Sequence, residues 1–336
     1  MTDFVARRPL WSLVILAVLA GFLWLIFAVW PPEFEAVFGR KRLFLSALLN
    51  GITLGALYFL VASGFTLIFG LMRNVNLAHG SLYLIGGYTG YVISAATGSW
   101  VLALIVAFVA AAVVGIIMQL LIFRWMEGQD LRQTLVTIGL SIIFADLLLW
   151  GYGGDTYQVE TPSWLAGPTQ LPFVVALRSN GDPVWLNYPF VRIAILAGAV
   201  VVGVLMWLAL NKTRVGMLVR AGVDDRDMLS ATGVRVQLIF ILIFAFGAGL
   251  AGLAGVVGGT FQSLQPGEDT KILLASLVVV IVGGMGSIPG AALGALIVGL
   301  AEQFGSVYMP TYAVMLTFVI MVVVLAIRPQ GLAARR

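Results

Sequence analysis

Runs of about twenty apolar residues recur along this chain, and each is long enough to cross a bilayer core of about 30 Å as a helix. They fall at 10–30, 43–70, 81–97, 99–123, 134–151, 189–210, 237–258, 271–285, 289–306 and 311–327. In hydrocarbon every backbone N–H and C=O must be satisfied within the chain, which leaves helices as the reading for such runs. Of the 336 residues, 61% are hydrophobic and 10% charged, against about 25% charged in a soluble domain. The expected fold class is therefore an all-α polytopic membrane protein of about ten transmembrane helices. Residues 1–336 are read as one transmembrane domain. Within it, 1–42 supply an extra N-terminal span and linker.

Two segments stand apart. The run 81–97 is short and glycine-rich, and 271–285 is short and runs into Gly283-Gly284-Met285-Gly286-Ser287-Ile288-Pro289-Gly290. Short or glycine-interrupted spans are what transporters place near their binding paths. The 39 glycines suit helices that pack closely without a hydrophobic force between them. The absence of cysteine removes disulfides, thiolate metal sites and cysteine nucleophiles. No cleavable signal peptide is expected, because 10–30 is too long and too apolar and no A-x-A site follows it.

Charge placement orients the spans. With the N-terminus in the cytoplasm, the inner segments hold thirteen basic residues: Arg7, Arg8, Arg73, Arg124, Arg132, Lys212, Arg214, Arg220, Arg226, Arg235, Arg328, Arg335 and Arg336. The outer segments hold six: Arg40, Lys41, Arg42, Arg178, Arg192 and Lys271. Both termini are thus expected in the cytoplasm, although Arg40-Lys41-Arg42 runs against the rule. The largest outer loop is then 152–188 and the largest inner loop 211–236.

That inner loop carries Arg220, Asp224, Asp225, Arg226, Asp227 and Arg235 in a chain otherwise nearly free of charge. Asp224 can cap a helix starting at Asp225, with Asp227 at its third position, where carboxylates suit the positive helix end. Gly233 supplies a left-handed stop. A helix of about eight residues, roughly 12 Å long, is too short to stand alone. One reading lays it on lipid headgroups, but three aspartates would meet an anionic surface. The other docks it into a soluble protein, with Met228 and Leu229 as its apolar contacts.

Three blocks carry a family resemblance: "LLNGITLGALYFLVASGFTLIFGLMRNVNLAHGSLYLIGGYTGY" (48–91), "TRVGMLVRAGVDDRDMLSATGVRVQLIFILIFAFGAGLAGLAGVVGG" (213–259) and "GGMGSIPGAALGALIVGLAEQFG" (283–305). In this order and spacing the chain resembles the permease subunits of bacterial ABC importers for branched-chain and other hydrophobic amino acids. Of the two paired permeases it resembles the one with Asn76-Leu77-Ala78-His79-Gly80. The resemblance covers nearly everything from residue 43 onward. It implies the ABC importer permease fold, a second permease (a different chain, as a heterodimer), two cytoplasmic ATPases and a periplasmic substrate-binding protein. It assigns 220–233 as the coupling helix, with Arg220, Asp224, Asp225, Asp227, Met228, Leu229 and Gly233 facing the ATPase task. The chain has no G-x-x-x-x-G-K-[ST]. ATP and Mg are therefore expected on the partners, with no cofactor, metal, nucleic acid or catalytic residue here. Urea, short amides or aromatic acids are alternative cargoes within the same family.

Other signals are weighed on their chemistry. Gly247–Gly252 matches G-x-G-x-x-G inside an apolar span, where helix packing explains it better than a dinucleotide. Gly51/Gly55 and Gly286/Gly290/Gly294 have close-packing spacing. His79, the one histidine, has no nucleophile constellation and is expected to fix the turn between two helices by hydrogen bonding, with ATPase or path contact as alternatives. Translocation-path candidates are Asn50, Thr53, Ser63, Thr66, Asn76, His79, Asp146 and Glu302. The last two are acids within spans, which usually face protein or water. An ion-coupled secondary transporter would need a mid-membrane proton or sodium site, and only Asp146 and Glu302 offer one, both toward their helix ends. An intramembrane enzyme lacks any H-E-x-x-H or G-x-S-x-G.

Overall fold

The structure is a computed structural model that describes residues 30–72, 75–126, 128–177, 181–224 and 226–333. The expected span 10–30 lies outside the described residues. Every other expected span is a helix. They are α2 (Lys41–Met72), α3 (His79–Thr97), α4 (Trp100–Leu121), α5 (Asp130–Tyr152), α6 (Phe190–Lys212), α9 (Val236–Phe261), α10 (Glu268–Gly283), α11 (Ile288–Tyr308) and α12 (Ala313–Ile327). A short α1 (Pro32–Phe38) precedes them, and α7 (Arg214–Asp224) and α8 (Arg226–Ala231) lie in the 211–236 loop. Seven of the described helices are long and apolar enough to cross a membrane. The other two full-length elements, α3 and α10, are the pair that reads as short and glycine-interrupted in the sequence.

The all-α expectation needs one correction. Residues 168–189 form a hairpin, β1 (Pro168–Leu177) antiparallel to β2 (Pro183–Pro189), with Leu171 opposite Leu186 and irregularities between Leu171, Val174 and Ala176. The physical signal is two short runs rich in β-branched and aromatic residues around Asn180-Gly181-Asp182-Pro183, which is hairpin chemistry.

The described residues cluster into two units. The smaller one contains the hairpin and the chain up to Leu49. In it Trp30, Phe34, Phe38 and Phe44 pack ring against ring at centroid distances of 5.2–6.0 Å, which pins α1 to the first turn of α2. The larger unit, 50–167 with 190–336, holds the helical core.

Helix starts follow local chemistry. Ser99 caps α4 by accepting from the Leu102 N–H at 3.3 Å, and Ser287 caps α11 by accepting from the Gly290 N–H at 3.1 Å. Pro289 occupies the opening turn of α11, where its missing N–H costs nothing. The core is built on small residues of α9. Gly252 meets Gly86 of α3, Gly255 meets Tyr83 and Gly87, and Gly115 of α4 would place a Cβ 2.6 Å from Ala248. The G-x-G-x-x-G match is thus a packing face. Gly51 and Gly55 of α2 likewise receive Gly299, Leu300 and Ala295 of α11, and Gly290 and Gly294 lie against Gly283 and Val279 of α10. With no Cβ between them these backbones approach to full dispersion contact. By contrast α5, α6 and α12 turn mostly exposed apolar faces outward.

Two helices begin inside the bundle. The His79 ring at the start of α3 reaches the carbonyl of Val61, well before α2 ends at Met72. After α9 the chain turns back, and Leu264 pairs with Tyr157 through N–H···O bonds of 2.7 and 2.9 Å and packs on Gly87. From there α10 starts beside α3, with the Asp269 carbonyl so close to Gly80 that no Cβ fits.

Candidate functional site

The loop 211–236 folds as two short helices. Thr213 accepts from the Gly216 N–H at 3.1 Å and its carbonyl accepts from Met217 at 3.1 Å, so α7 begins at Arg214. The expected cap therefore moves. Asp224 is the last residue of α7 and Asp225 lies outside the described residues, while α8 begins at Arg226 and includes Asp227. The reason is that Thr213 nucleates a helix eleven residues earlier than the aspartate pattern suggested. Gly233 is left-handed at φ +83°, where L side chains are strained, and the Thr232 and Gly233 N–H groups close the last turn on Leu229 and Ser230.

The named side chains divide. Met228 is 70% exposed, whereas Leu229 is buried in the chain's own core. Arg220 donates to the Leu210 carbonyl at the end of α6, and Gly216 sits so tightly on the carbonyls of Ala209 and Leu210 that a side chain there has no space. The segment is thereby fastened to the membrane helix before it.

Of the path candidates, Asn50 accepts from Arg192 of α6, whose guanidinium also lies 4.9 Å from the Phe261 ring centroid. Thr53, Ser63 and Thr66 are buried along α2; Ser63 donates to the Leu60 carbonyl at 2.8 Å, and the Thr66 hydroxyl has no hydrogen-bond partner. The Asn76 carboxamide accepts from the Ala78 N–H at 3.1 Å, closing the turn before α3. His79 is fully buried, its Nε2–H donates to the Val61 carbonyl at 3.1 Å, and its ring meets Phe65 edge-on at 5.4 Å. The bond ties the start of α3 to the middle of α2. Asn76, Gln133 and Thr137 line a small, half-open cleft, and Thr137 accepts from the Leu77 N–H at 3.1 Å.

The two acids part company. Asp146 is exposed on α5 among exposed Ile142, Ile143, Leu147 and Trp150. Glu302 accepts a 2.6 Å hydrogen bond from the hydroxyl of Tyr58, a fully buried residue near the middle of α2. Its carboxylate, on a partly buried residue, thus joins α11 to the buried face of α2.

Sequence reasoning missed Glu268, Asp269, Tyr58 and Tyr83. Glu268 and Asp269 are nearly fully buried at the start of α10. The available signal was Gly267 before two acids opening an apolar run, which is a helix-start pattern. It read as loop because the turn before it folds back between helices. Gln119 of α4 was also missed; it is fully buried with neither amide atom bonded.

Residues 47–325 match the family described as the permease component of the branched-chain amino acid transport system. The high-affinity branched-chain amino acid transport system permease protein LivH of Escherichia coli K12 is 30% identical over 316 residues, covering 87% of this chain and 96% of that protein. BraD of Pseudomonas aeruginosa, a permease of the same description, is 30% identical over 304 residues with the same coverage. LivH of Salmonella typhimurium is 29% identical over 315 residues. No solved structure matches the chain significantly.

Proposed function

Since this chain belongs to the branched-chain amino acid transport permease family, we propose that it is the membrane subunit of an ATP-driven importer whose cargo is branched-chain or other hydrophobic amino acids. The observation that carries the mechanism is the fastening of α7 to α6 through Arg220 and Gly216. A helix pair held by side chain and backbone transmits a push to the membrane helix, whereas a loose loop would absorb it.

The exposed Met228 and the acidic run beside it suit a docking site on a cytoplasmic ATPase. The chain has no phosphate-binding loop of its own, so ATP and Mg belong to two such ATPases and this subunit performs no chemistry. Asp146 supports a second permease. A carboxylate turned to lipid is costly, up to about 2.5–3.5 kcal/mol at a helix centre and less toward its end, and a neighbouring chain over α5 removes that cost. On this reading 211–236 lies in the cytoplasm, both termini are inside, and 152–188 faces a periplasmic binding protein.

Co-purification with tagged chain, followed by uptake in liposomes, tests the proposal. Leucine, isoleucine and valine should stimulate ATP hydrolysis and accumulate. Stimulation by urea, short amides or aromatic acids alone would reassign the cargo within the same mechanism.

A further inference from the structure

α5 is the least buried of the seven spans, 6% of its apolar stretch against 11% for the next. One face of it is nevertheless well seated. Thr137 accepts from the Leu77 N–H, the hydroxyls of Ser141 and Ser81 lie 3.3 Å apart, and the Tyr152 ring stacks on Tyr88 at 4.3 Å. These contacts hold α5 on α3. Asp146 follows Thr137 by nine residues, about two and a half turns, so it points directly away from α3. At about 3.6 residues per turn, Leu135, Gly139, Ile142 and Trp150 share its face. Among the described residues nothing bonds to the Asp146 carboxylate or pairs with its charge.

Depth, an open glycine and the sign of the charge together say what covers that face. The exposed Trp150 is of the residue type that settles at the headgroup boundary. Asp146 lies one turn, about 6 Å, inside it. An aspartate is too short to lift its charge back to water as lysine does, and an acid at membrane depth faces protein or water and pairs there. About two turns nearer the start of α5, a Cβ added to Gly139 would meet no atom within 4 Å. A bare glycine on an outward face leaves the backbone open to a second helix at close range. Two copies of this chain, paired across this face by a two-fold axis along the membrane normal, would bring Asp146 to Asp146 at one depth, where like charges repel. The occupant is therefore a chain that is not a copy and that supplies a cation. Resting on the two-permease reading above, we propose that the outward face of α5 over 135–150 is the seam with the second permease. A helix of that partner closes it, lying over Gly139 and pairing a lysine or arginine with Asp146.

The whole importer in its membrane, with this chain tagged, tests the seam. Recovery of the second permease with the wild-type chain comes first; its absence overturns the two-permease reading and the seam together. With it recovered, Asp146→Lys is expected to keep its membrane yield and to lower recovery of the second permease by at least about tenfold, while Asp146→Glu holds recovery near wild type. Wild-type recovery with Asp146→Lys overturns the seam alone. A second measurement leaves Asp146 in place. A photoreactive side chain at Ile142 should form an adduct with the second permease. An adduct of twice this chain's mass would make the occupant a second copy, and adducts with lipid alone would make the face a lipid contact; either result overturns the proposal.

Discussion

Arg220 donates a hydrogen bond to the carbonyl of Leu210, so α7 is tied to the last turn of α6 by a side chain as well as by the covalent link. A charge-assisted bond to an otherwise orphaned helix-end carbonyl contributes about 1.5–3 kcal/mol. Arg220→Ala should therefore loosen the joint without unfolding the bundle. The expected result is normal membrane yield, retained ATPase binding and more ATP hydrolysed per leucine imported. An unchanged ratio would show that the joint transmits nothing.

Met228 and Leu229 are neighbours with opposite environments, the first exposed and the second buried. Met228→Asp is expected to insert normally and lose co-purifying ATPase. Leu229→Asp buries an unpaired carboxylate, at a cost of several kcal/mol, and should lose yield first. Equal yields with equal ATPase recovery for the two variants would remove Met228 from the docking face.

Gly255 on α9 touches the backbone of Tyr83 and Gly87, while Gly139 on α5 has open space where a Cβ would go. Gly255→Leu should prevent assembly. Gly139→Ala should be neutral or stabilise by up to about 1 kcal/mol through helix propensity. Folded yield and thermal midpoint in detergent read both, and a well-folded Gly255→Leu would contradict the packing described here.

The span pattern was legible because length and hydropathy decide it, and each expected span among the described residues is a helix. The stop at Gly233 was legible from residue type alone. The start at Thr213 was not, because the aspartates at 224–227 form an equally plausible cap pattern and the geometry that decides between them is the contact of Gly216 with Ala209 and Leu210. Glu302 looked peripheral from its position in α11. Only the reach of Tyr58 from another helix ties its carboxylate to the core. Glu268 and Asp269 were hidden because their depth depends on the turn at 262–267, a tertiary event with no local signature.

The C-terminal segment closes on the turn between α10 and α11. The Leu332 and Ala333 N–H groups donate to the Val282 and Gly283 carbonyls at 2.9 and 3.0 Å. Ending the chain after Gln330 removes both bonds, worth about 1 kcal/mol each. The midpoint should fall by a few degrees and the Gly283–Ser287 turn should become more open to protease. Unaltered cleavage and midpoint would assign the tail no structural part.

Reconstitution of this chain with a second permease, two ATPases and a periplasmic binding protein measures most directly whether it forms part of an amino-acid pathway. Leucine should accumulate in the liposomes only when ATP is present on the side of the ATPases, and accumulation should vanish when this chain alone is left out. Accumulation that persists without this chain, or that follows an ion gradient with no ATP, would contradict its place in an ATP-driven importer.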